Sequence, residues 1–246
     1  MDKVLNSLLG EKVKIWQNSK GWKVSQDAVI LSHFVELRSK DKEILDIGCG
    51  NGGATLCLAS RVNNKNFTSI DIQESQLNLL KLSIEENNFE NNFSVIKEDL
   101  SKQSSDFKKK LFDTVMTNPP YYLGETSPDN GRSIAHTENK EFPLEKWISA
   151  SMKKLKSNGS FYIIHQAERL DTIIQSIKNE QGGAIEVFPI FSKIGDDFAK
   201  RIVIKAQKVS KTPTKLHKPL YIYKTSEVGD KSTEDYTEDA KKIFNV

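Results

Sequence analysis

Asp46-Ile47-Gly48-Cys49-Gly50-Asn51-Gly52-Gly53 is the stretch that decides the fold class of this 246-residue chain. It joins an apolar strand, predicted over 43–48, to a helix with apolar side chains at positions 56, 58, 59 and 62. Glycines at a strand-to-helix turn let the backbone take positive φ and approach a ligand closely. In open parallel sheets, ligands lie beyond the carboxyl ends of the strands, so this turn predicts a binding site there.

The rest of the chain alternates strands and helices in the same way. Further strands are predicted over 67–72, 93–97, 112–117, 160–165, 184–191 and 201–206. Amphipathic helices are predicted around 77–84, 144–155 and 170–177, and the last two are interpreted as ending at Asn158-Gly159 and Gly182-Gly183. This alternation predicts an α/β fold with a Rossmann-like, doubly wound, mostly parallel sheet.

The segment before the first sheet strand has its own pattern. Residues 13–17 and 21–25 alternate around a polar turn, which predicts a small hairpin, and Asp27 is a candidate N-cap for a following helix. The end of the chain is less regular, with an acidic stretch over 227–239. We therefore divide the chain into an N-terminal extension, a core and a C-terminal tail, over 1–40, 41–208 and 209–246.

The composition narrows the class of protein. Apolar residues make up 37% and charged residues 28% of the chain, as in soluble proteins, and no apolar run reaches the ~18 residues of a membrane span. The two cysteines, Cys49 and Cys57, lie in one motif region, which suits the reducing cytoplasm. With four scattered histidines they give no metal-ligand spacing, so no metal is expected. The net charge of +3 permits a nucleic-acid partner, and oligomeric state is not indicated.

The glycine spacing alone leaves two ligands open. Gly48, Gly50 and Gly53 satisfy the G-x-G-x-x-G pattern of dinucleotide sites, so a nicotinamide-dependent oxidoreductase is one alternative. That reading leaves the later Asn-Pro-Pro-Tyr loop without a role, and no hydride-site pattern of Tyr and Lys or His accompanies it.

An acidic residue follows or ends each of the first three sheet strands. Asp46 is placed to accept hydrogen bonds from a cationic amino-acid group, and Asp71 to accept both hydroxyls of a ribose. Asp99 is placed to accept from an adenine amino group. Together they describe a nucleoside with a charged amino-acid tail, which is S-adenosylmethionine, and they give no special place to a pyrophosphate. Considered one at a time, Asp71 and Asp99 could also be ordinary turn residues at the ends of strands, with no part in binding.

Asn118-Pro119-Pro120-Tyr121 follows the strand predicted over 112–117, at the same end of the sheet as the glycines. Two prolines cannot continue a central strand, so they predict a rigid loop. The Asn118 side-chain oxygen and the Pro119 carbonyl could accept hydrogens from a planar amine and direct its lone pair at a methyl donor. Tyr121 offers a ring face for stacking. A proline turn that closes a buried strand is the plainer alternative.

With these motifs in place, residues 43–206 resemble class I S-adenosylmethionine-dependent methyltransferases of the small-domain type. The blocks 9–17 and 21–31 and Ala199-Lys200-Arg201 extend the resemblance, over about 1–208, to bacterial tRNA1(Val) adenine-N6 methyltransferases. It implies a seven-stranded sheet with an antiparallel last strand and a Ser25–Asp27 segment that caps the cofactor. The expected cofactor-binding residues are Asp46, Gly48, Gly50, Gly52, Asp71, Ile72, Asp99, Leu100 and Asn118, and the expected catalytic residues are Asn118, Pro119 and Tyr121.

The acceptor is expected to be RNA, most of all adenine N6 of tRNA. Residues 198–226 contain lysines but no acids, which predicts contact with an RNA backbone or, equally, a solvated surface. Protein glutamine is an alternative acceptor, since release-factor methyltransferases carry a similar loop, but only about 40 residues precede the first sheet strand here. Adenine in DNA, guanine N2 in ribosomal RNA and a non-enzymatic RNA-binding protein are further alternatives.

Overall fold

The computed structural model of the protein describes residues 2–20, 24–123, 137–138, 142–224 and 235–246. Its strands are β1 Lys3–Leu8, β2 Val13–Asn18, β3 Glu43–Ile47, β4 Asn66–Asp71, β5 Phe93–Lys97, β6 Phe112–Thr117, β7 Tyr122–Leu123, β8 Thr137–Glu138, β9 Leu155–Gln166, β10 Gly182–Lys193, β11 Arg201–Lys208, β12 Lys215–Leu216 and β13 Leu220–Tyr223. Its helices are α1 Gln26–Phe34, α2 Gly53–Ala59, α3 Glu74–Glu86, α4 Ser105–Lys109, α5 Leu144–Lys153, α6 Leu170–Asn179 and α7 Glu238–Phe244.

The central sheet has the predicted Rossmann-like topology. Its strand order is β12-β10-β11-β9-β6-β3-β4-β5, with β13 also beside β10. The pairs β3–β4, β3–β6, β4–β5 and β6–β9 are parallel, whereas β11 is antiparallel to both β9 and β10. β3 is almost entirely buried because helices cover both faces of the sheet. The prediction of a mostly parallel sheet with an antiparallel last core strand is confirmed.

Helices bury one apolar face each against the two sides of this sheet. On one side, α4, α5 and α6 pack with side chains that include Phe107, Ile148 and Ile177. On the other side lie α1, α2, α3 and α7, with β2 closing the layer through Val13 and Ile15. The sheet is therefore doubly wound, as predicted. Within the described ranges, no helix has both the length and the apolar character that crossing a membrane requires.

The N-terminal hairpin lies earlier in the chain than predicted. β1 pairs with β2 in antiparallel register, Lys3 opposite Asn18 and Leu8 opposite Val13. The predicted strand over 13–17 is confirmed, but its partner is β1; residues 24 and 25 are not in a strand, and 21–23 lie outside the described residues. The helix that follows begins at Gln26, with Ser25 and not Asp27 as its N-cap residue.

Two glycine-containing pairs begin strands instead of ending helices. Asn158 and Gly159 lie inside β9, which starts at Leu155, and Asn158 takes the left-handed conformation with φ of 62°. A register shift in the β6–β9 pairing shows that this segment is a bulge. Gly182 and Gly183 are the first two residues of β10. Position 183 has no room for a side chain, because a Cβ there would collide with the Ser210 carbonyl oxygen.

The described part of the C-terminal tail holds three short elements, β12, β13 and α7, separated by loops. β12 and β13 pair in parallel with β10 and extend the core sheet from seven strands to nine. Asn245, which follows α7, donates to the Leu9 carbonyl at 3.1 Å and accepts from the Lys12 ammonium at 3.2 Å. The tail thus closes onto the N-terminal hairpin. Of the acidic stretch over 227–239, residues 227–234 lie outside the described residues.

Candidate active site

Two loops meet at the carboxyl edge of the sheet, because β3 and β6 pair in parallel with Ile47 opposite Thr117. The glycine loop follows β3 and Asn118-Pro119-Pro120-Tyr121 follows β6. The Thr117 hydroxyl donates to the Ile47 carbonyl at 2.8 Å, and the indole of Trp147, on α5, donates to the Thr117 hydroxyl at 3.0 Å. These bonds tie the two predicted motifs into one site.

The glycine loop has the backbone that its sequence predicts. Gly48, Gly50 and Gly52 have φ of 69°, 54° and 89°, in the region that favours glycine. A Cβ on Gly52 would lie 2.3 Å from the Leu80 side chain, so this glycine is needed for packing. Around Gly50, by contrast, no atom of the described residues, its two chain neighbours apart, lies within 4 Å of where a Cβ would be. That open space is where a ligand can approach the main chain.

Asp46 is the second-last residue of β3 and is almost inaccessible to solvent. Burial raises its pKa to about 7, the hydrogen bond donated by the Thr55 hydroxyl opposes the shift, and the nearby Asp71 adds to it. A cation placed beside this carboxyl would favour its charged form. The site is therefore built to be completed by a positive group such as the ammonium of an amino acid.

Asp71 ends β4 and is positioned by the main chain. One carboxylate oxygen accepts from the Gly50 amide at 2.9 Å and the other from the Gln73 amide at 2.8 Å. Burial raises the pKa of this carboxyl, and these amide donors counter the shift. Each oxygen keeps a second acceptor position, so both can still accept from ribose hydroxyls. The next side chain, Ile72, is 57% exposed and could cover an adenine ring.

Asp99 lies two residues beyond β5 and is exposed. One of its oxygens accepts from the amide and the hydroxyl of Ser101, at 2.8 Å and 2.6 Å, and so caps a short 3-10 turn at Leu100–Lys102. Leu100 packs in the core, which leaves its main chain for any ligand contact. With Asp46, Asp71 and the open Gly50, these residues fit S-adenosylmethionine: an anion for its ammonium, acceptors for its ribose and room for its adenine.

The second loop is held by residues from distant parts of the chain. The Tyr121 hydroxyl lies within hydrogen-bonding distance of the Asn118 side-chain oxygen and donates to Asp27 at 3.0 Å. Asp27, in the first turn of α1, also accepts from the Arg201 guanidinium at 3.1 Å. We call Asn118, Tyr121, Asp27 and Arg201 the acceptor network, where 'acceptor' means the group that would receive a methyl group and not a hydrogen-bond acceptor.

Tyr121 is 6% exposed, so the structure does not show the open stacking face that we expected. The guanidinium of Arg201 lies over its ring, 4.8 Å from the centroid, and the buried His165 ring meets it edge-on at 4.9 Å. Burial and the neighbouring Asp27 keep the pKa of Tyr121 well above its ordinary value. Burial lowers the pKa of His165 to about 4. Both groups are neutral at pH 7, and the Tyr121 hydroxyl links Asn118 to Asp27.

The structure brings the predicted residues Asp46, Gly48, Gly50, Asp71 and Asn118 to one edge of the sheet. Further residues that the motifs did not predict also shape the site: Thr55, Trp147 and the Asp27–Arg201 ion pair. Asp27 and Arg201 belong to the two blocks that carry the resemblance outside the core motifs. That was the available signal for them. The contact of Asp27 is with Tyr121, whereas we expected its segment to cover the cofactor.

The basic residues after position 198 do not form one surface. Arg201 is paired with Asp27, and Lys205 lies 3.1 Å from Glu186. Lys211 lies at the amino end of β10, where the chain after β11 hydrogen-bonds back to that strand. β10 has 12 residues, and at about 3.3 Å per residue Lys211 is roughly 30 Å from the carboxyl edge. Only part of this stretch can therefore lie near the candidate site.

Comparison with known proteins agrees with this fold. The family model for a methyltransferase domain matches residues 38–218. A tRNA1(Val) (adenine(37)-N6)-methyltransferase of Bacteroides thetaiotaomicron is 30% identical over 162 residues, which cover 65% of this chain and 66% of that protein. The Shewanella sediminis protein of the same name is 34% identical over 127 residues, 50% of this chain and 51% of that protein. The matches thus span about half to two thirds of these relatives.

A solved structure from Agrobacterium tumefaciens, titled a predicted O-methyltransferase, shares the architecture. It has a TM-score of 0.70 at 21% identity and covers 89% of this chain and 96% of its own. That likeness shows the fold. Together with the family match over most of the chain and the site at the carboxyl edge, it leads to one conclusion: the chain belongs to the methyltransferase domain family, as a class I S-adenosylmethionine-dependent member.

Proposed function

We propose that this protein transfers a methyl group from S-adenosylmethionine to a planar amine, adenine N6 in tRNA. The observation that carries the proposal is the position of Asn118, directly after β6 and tied through Thr117 and Trp147 to the loop that fits the donor. Residues 41–208 would form the catalytic core. The extension over 1–40 would hold the acceptor network in place through Asp27. The tail over 209–246 would hold the extension in turn, because Asn245 donates to the Leu9 carbonyl.

The donor, when bound, supplies a methyl group on a positively charged sulfur. Asp46 would hold its ammonium and Asp71 its ribose hydroxyls, while Ile72 would cover its adenine. These contacts fix the direction in which the methyl group points. Positioning of this kind supplies much of the rate in a transfer that needs no strong base.

The acceptor amine is a poor nucleophile because its lone pair is delocalised into the ring. Asn118, through its side-chain oxygen, and Pro119, through its carbonyl, would accept the two amine hydrogens and favour a pyramidal nitrogen. The lone pair would then attack the methyl carbon in line, so that the N–C bond forms as the S–C bond breaks and the electron pair of that bond stays on the sulfur as a neutral thioether. The methylated nitrogen would then lose one of its hydrogens as a proton to solvent. Fixed acceptors in a partly dry site stabilise the positive charge that develops on the nitrogen.

The acceptor network gives a reason why Asn118 would face the amine correctly. The Tyr121 hydroxyl has one hydrogen but two acceptors in reach, Asp27 and Asn118. A carboxylate accepts more strongly than an amide oxygen, so the hydrogen would go to Asp27. The Asn118 amide, turned by half a rotation, would then donate its NH2 to the Tyr121 oxygen. That orientation leaves the Asn118 oxygen free for the substrate.

The choice of adenine in tRNA rests on the names of the relatives and on the residues that form the acceptor network. Both relatives described above are named for adenine N6 of tRNA1(Val). The acceptor network uses Asp27 and Arg201, which lie in the segments that resemble that family. Protein glutamine, ribosomal RNA and DNA present similar amines to the same loop, so they are the outcomes against which the proposal is tested.

The test is a transfer assay with methyl-labelled S-adenosylmethionine. The protein is incubated in parallel with unfractionated tRNA, ribosomal RNA, DNA and total protein, and each product is digested to nucleosides or amino acids. The expected result is label in N6-methyladenosine from tRNA alone. Label in methylglutamine or in N2-methylguanosine would overturn the acceptor, and absence of label in every fraction would overturn the methyltransferase activity.

A further inference from the structure

The loop over 194–200 lies at the active-site edge of the sheet. β10 and β9 are both antiparallel to β11, so they are parallel to each other, and β10 ends at the same edge as β6 and β9. The loop leads directly into Arg201, the first residue of β11, which belongs to the acceptor network. This places the loop on the acceptor side of the site.

The loop is fixed by the main chain at both ends. The Ile194 amide donates to the Tyr223 carbonyl at 3.0 Å, and the Lys200 amide donates to the Ile190 carbonyl at 2.9 Å. Asp196 accepts from the Lys193 amide at 3.2 Å. A side chain displayed by such a loop loses little backbone freedom when a ligand binds to it.

Phe198 is displayed at this position with 78% of its surface exposed. No other large apolar side chain of the described residues is as exposed, and Ile194 of the same loop is 56% exposed. A single exposed apolar residue is unremarkable by itself. This one is aromatic and is three residues from Arg201, so its Cα lies within about 10 Å of an active-site residue.

We propose that Phe198 is a stacking platform for a nucleobase that flanks the target adenine in single-stranded RNA. The inference rests on the proposed function. It adds a binding contact to a part of the substrate other than the reacting amine. Every base has a flat face that an aromatic ring can cover, and such stacking contributes about 1–3 kcal/mol per base, or about 5- to 150-fold in affinity. The buried Tyr121 cannot serve this purpose.

The charges on the loop indicate how the platform works. Over residues 193–200, which add the last residue of β10 to the loop, Lys193 and Lys200 are balanced by Asp196 and Asp197, so this segment has no net charge. Its contribution should therefore come from stacking and not from neutralising phosphates. Phosphate contacts make binding fall with salt, whereas stacking on a neutral loop leaves that slope unchanged. The two sources of affinity can thus be separated.

The experiment replaces Phe198 and measures the KM and the dissociation constant for unfractionated tRNA at several salt concentrations. Phe198→Ala and Phe198→Leu should raise both constants by about 5- to 150-fold with the salt slope unchanged, and Phe198→Trp should retain wild-type values. The kcat and the affinity for S-adenosylmethionine should stay at wild-type values in all three variants. Leu216→Ala is the matched control, because Leu216 is 75% exposed on β12, away from the carboxyl edge.

The outcomes distinguish this inference from the proposed function. If the wild-type protein labels tRNA but Phe198→Ala keeps its KM, the platform is wrong and the methyltransferase activity stands. A loss of equal size in Leu216→Ala, or in Phe198→Trp, would also overturn it. If the wild-type protein labels protein glutamine and not tRNA, the proposed function fails, and the platform fails with it.

Discussion

The two halves of the candidate site are built in different ways. The donor half uses Asp46, Gly50, Thr55 and Asp71, which lie within one strand-helix-strand unit. The acceptor half joins Asn118 and Tyr121 to an ion pair whose members are 174 positions apart in the chain. Local sequence therefore shapes the donor half, whereas the packing of α1 against β11 and the loop after β6 shapes the acceptor half. Changes in the terminal regions should alter acceptor chemistry and leave donor binding intact.

The largest effect that distinguishes the two halves is expected from removing the side-chain amide of Asn118. Asn118→Ala should lower kcat by about 10²- to 10³-fold, the effect of losing one fixed hydrogen-bonding group in a transition state. The affinity for S-adenosylmethionine, measured by calorimetry, should change less than threefold. Asn179→Ala is a suitable control, because Asn179 is an exposed asparagine at the end of α6 whose side-chain oxygen accepts from Gln175 on the same helix. Near-normal kcat in Asn118→Ala would show that this side chain does not hold the amine.

The converse change removes an anion from the donor half. Asp71→Ala should raise the dissociation constant for S-adenosylmethionine by about 10- to 150-fold, because hydrogen bonds to a charged group are worth about 1.5–3 kcal/mol. At saturating donor, kcat should recover most of its wild-type value. Asp239→Ala, which removes an exposed carboxylate on α7, controls for net charge. A kcat that remains low at saturating donor would mean that Asp71 also acts on the acceptor side.

A third prediction concerns the coupling inside the acceptor network. Tyr121→Phe and Asp27→Asn should each lower kcat by about 3- to 10-fold, because the first removes the hydroxyl beside the Asn118 amide and the second weakens the acceptor that orients this hydroxyl. The double variant should be little worse than either single one, since both changes break the same chain of contacts. The measurement is a double-mutant cycle on kcat with donor affinity as a second readout. Additive losses would show that the two side chains act independently.

The donor half is also the part that the sequence predicted best, for a physical reason. The strands β5 and β6 match their predicted bounds, and β3 and β4 differ by one residue, because each lies between polar turns. β3, β4 and β6 are largely buried, and β5, at the edge of the sheet, is only partly buried. The role of Asp71 follows from its place at the end of such a strand. When a site is built within one strand-helix-strand unit, the positions of its residues along the chain are enough to predict where their side chains lie.

The acceptor half and the termini could not be predicted in this way. β1 is exposed along most of its length, so its residues carry no apolar alternation, and only its pairing with β2 makes it a strand. The Asp27–Arg201 pair has no local signal, because the helix and strand that hold it meet only in the folded chain. The stacking role expected for Tyr121 failed for the same reason: the residues that cover its ring come from β9 and β11.

The smallest predicted effect tests the burial of Asp46 in the donor half. Its pKa is raised to about 7 in the folded protein, whereas an unfolded aspartate has a pKa of about 3.9. Between these values the folded protein holds a proton that the unfolded chain has lost, so stability falls as the pH rises from about 4 to about 7. Asp46→Asn removes this titration. Without donor, the Tm of the variant relative to wild type should therefore be higher at pH 8 than at pH 5.

The expected shift is a few degrees, since 1 kcal/mol moves the Tm by about 2–4 °C in a protein of this size. The measurement is thermal unfolding of both proteins at several pH values without S-adenosylmethionine, with Asp239→Asn as the exposed control. If the two Tm curves stay parallel from pH 5 to pH 8, the carboxyl is already charged in the empty site. The donor half would then be preorganised for its ligand, and the raised pKa would have no part in recognising the ammonium. If the curves diverge, part of the binding free energy of the donor goes into ionising Asp46, a cost that the acceptor half, held by an ion pair already formed, does not have.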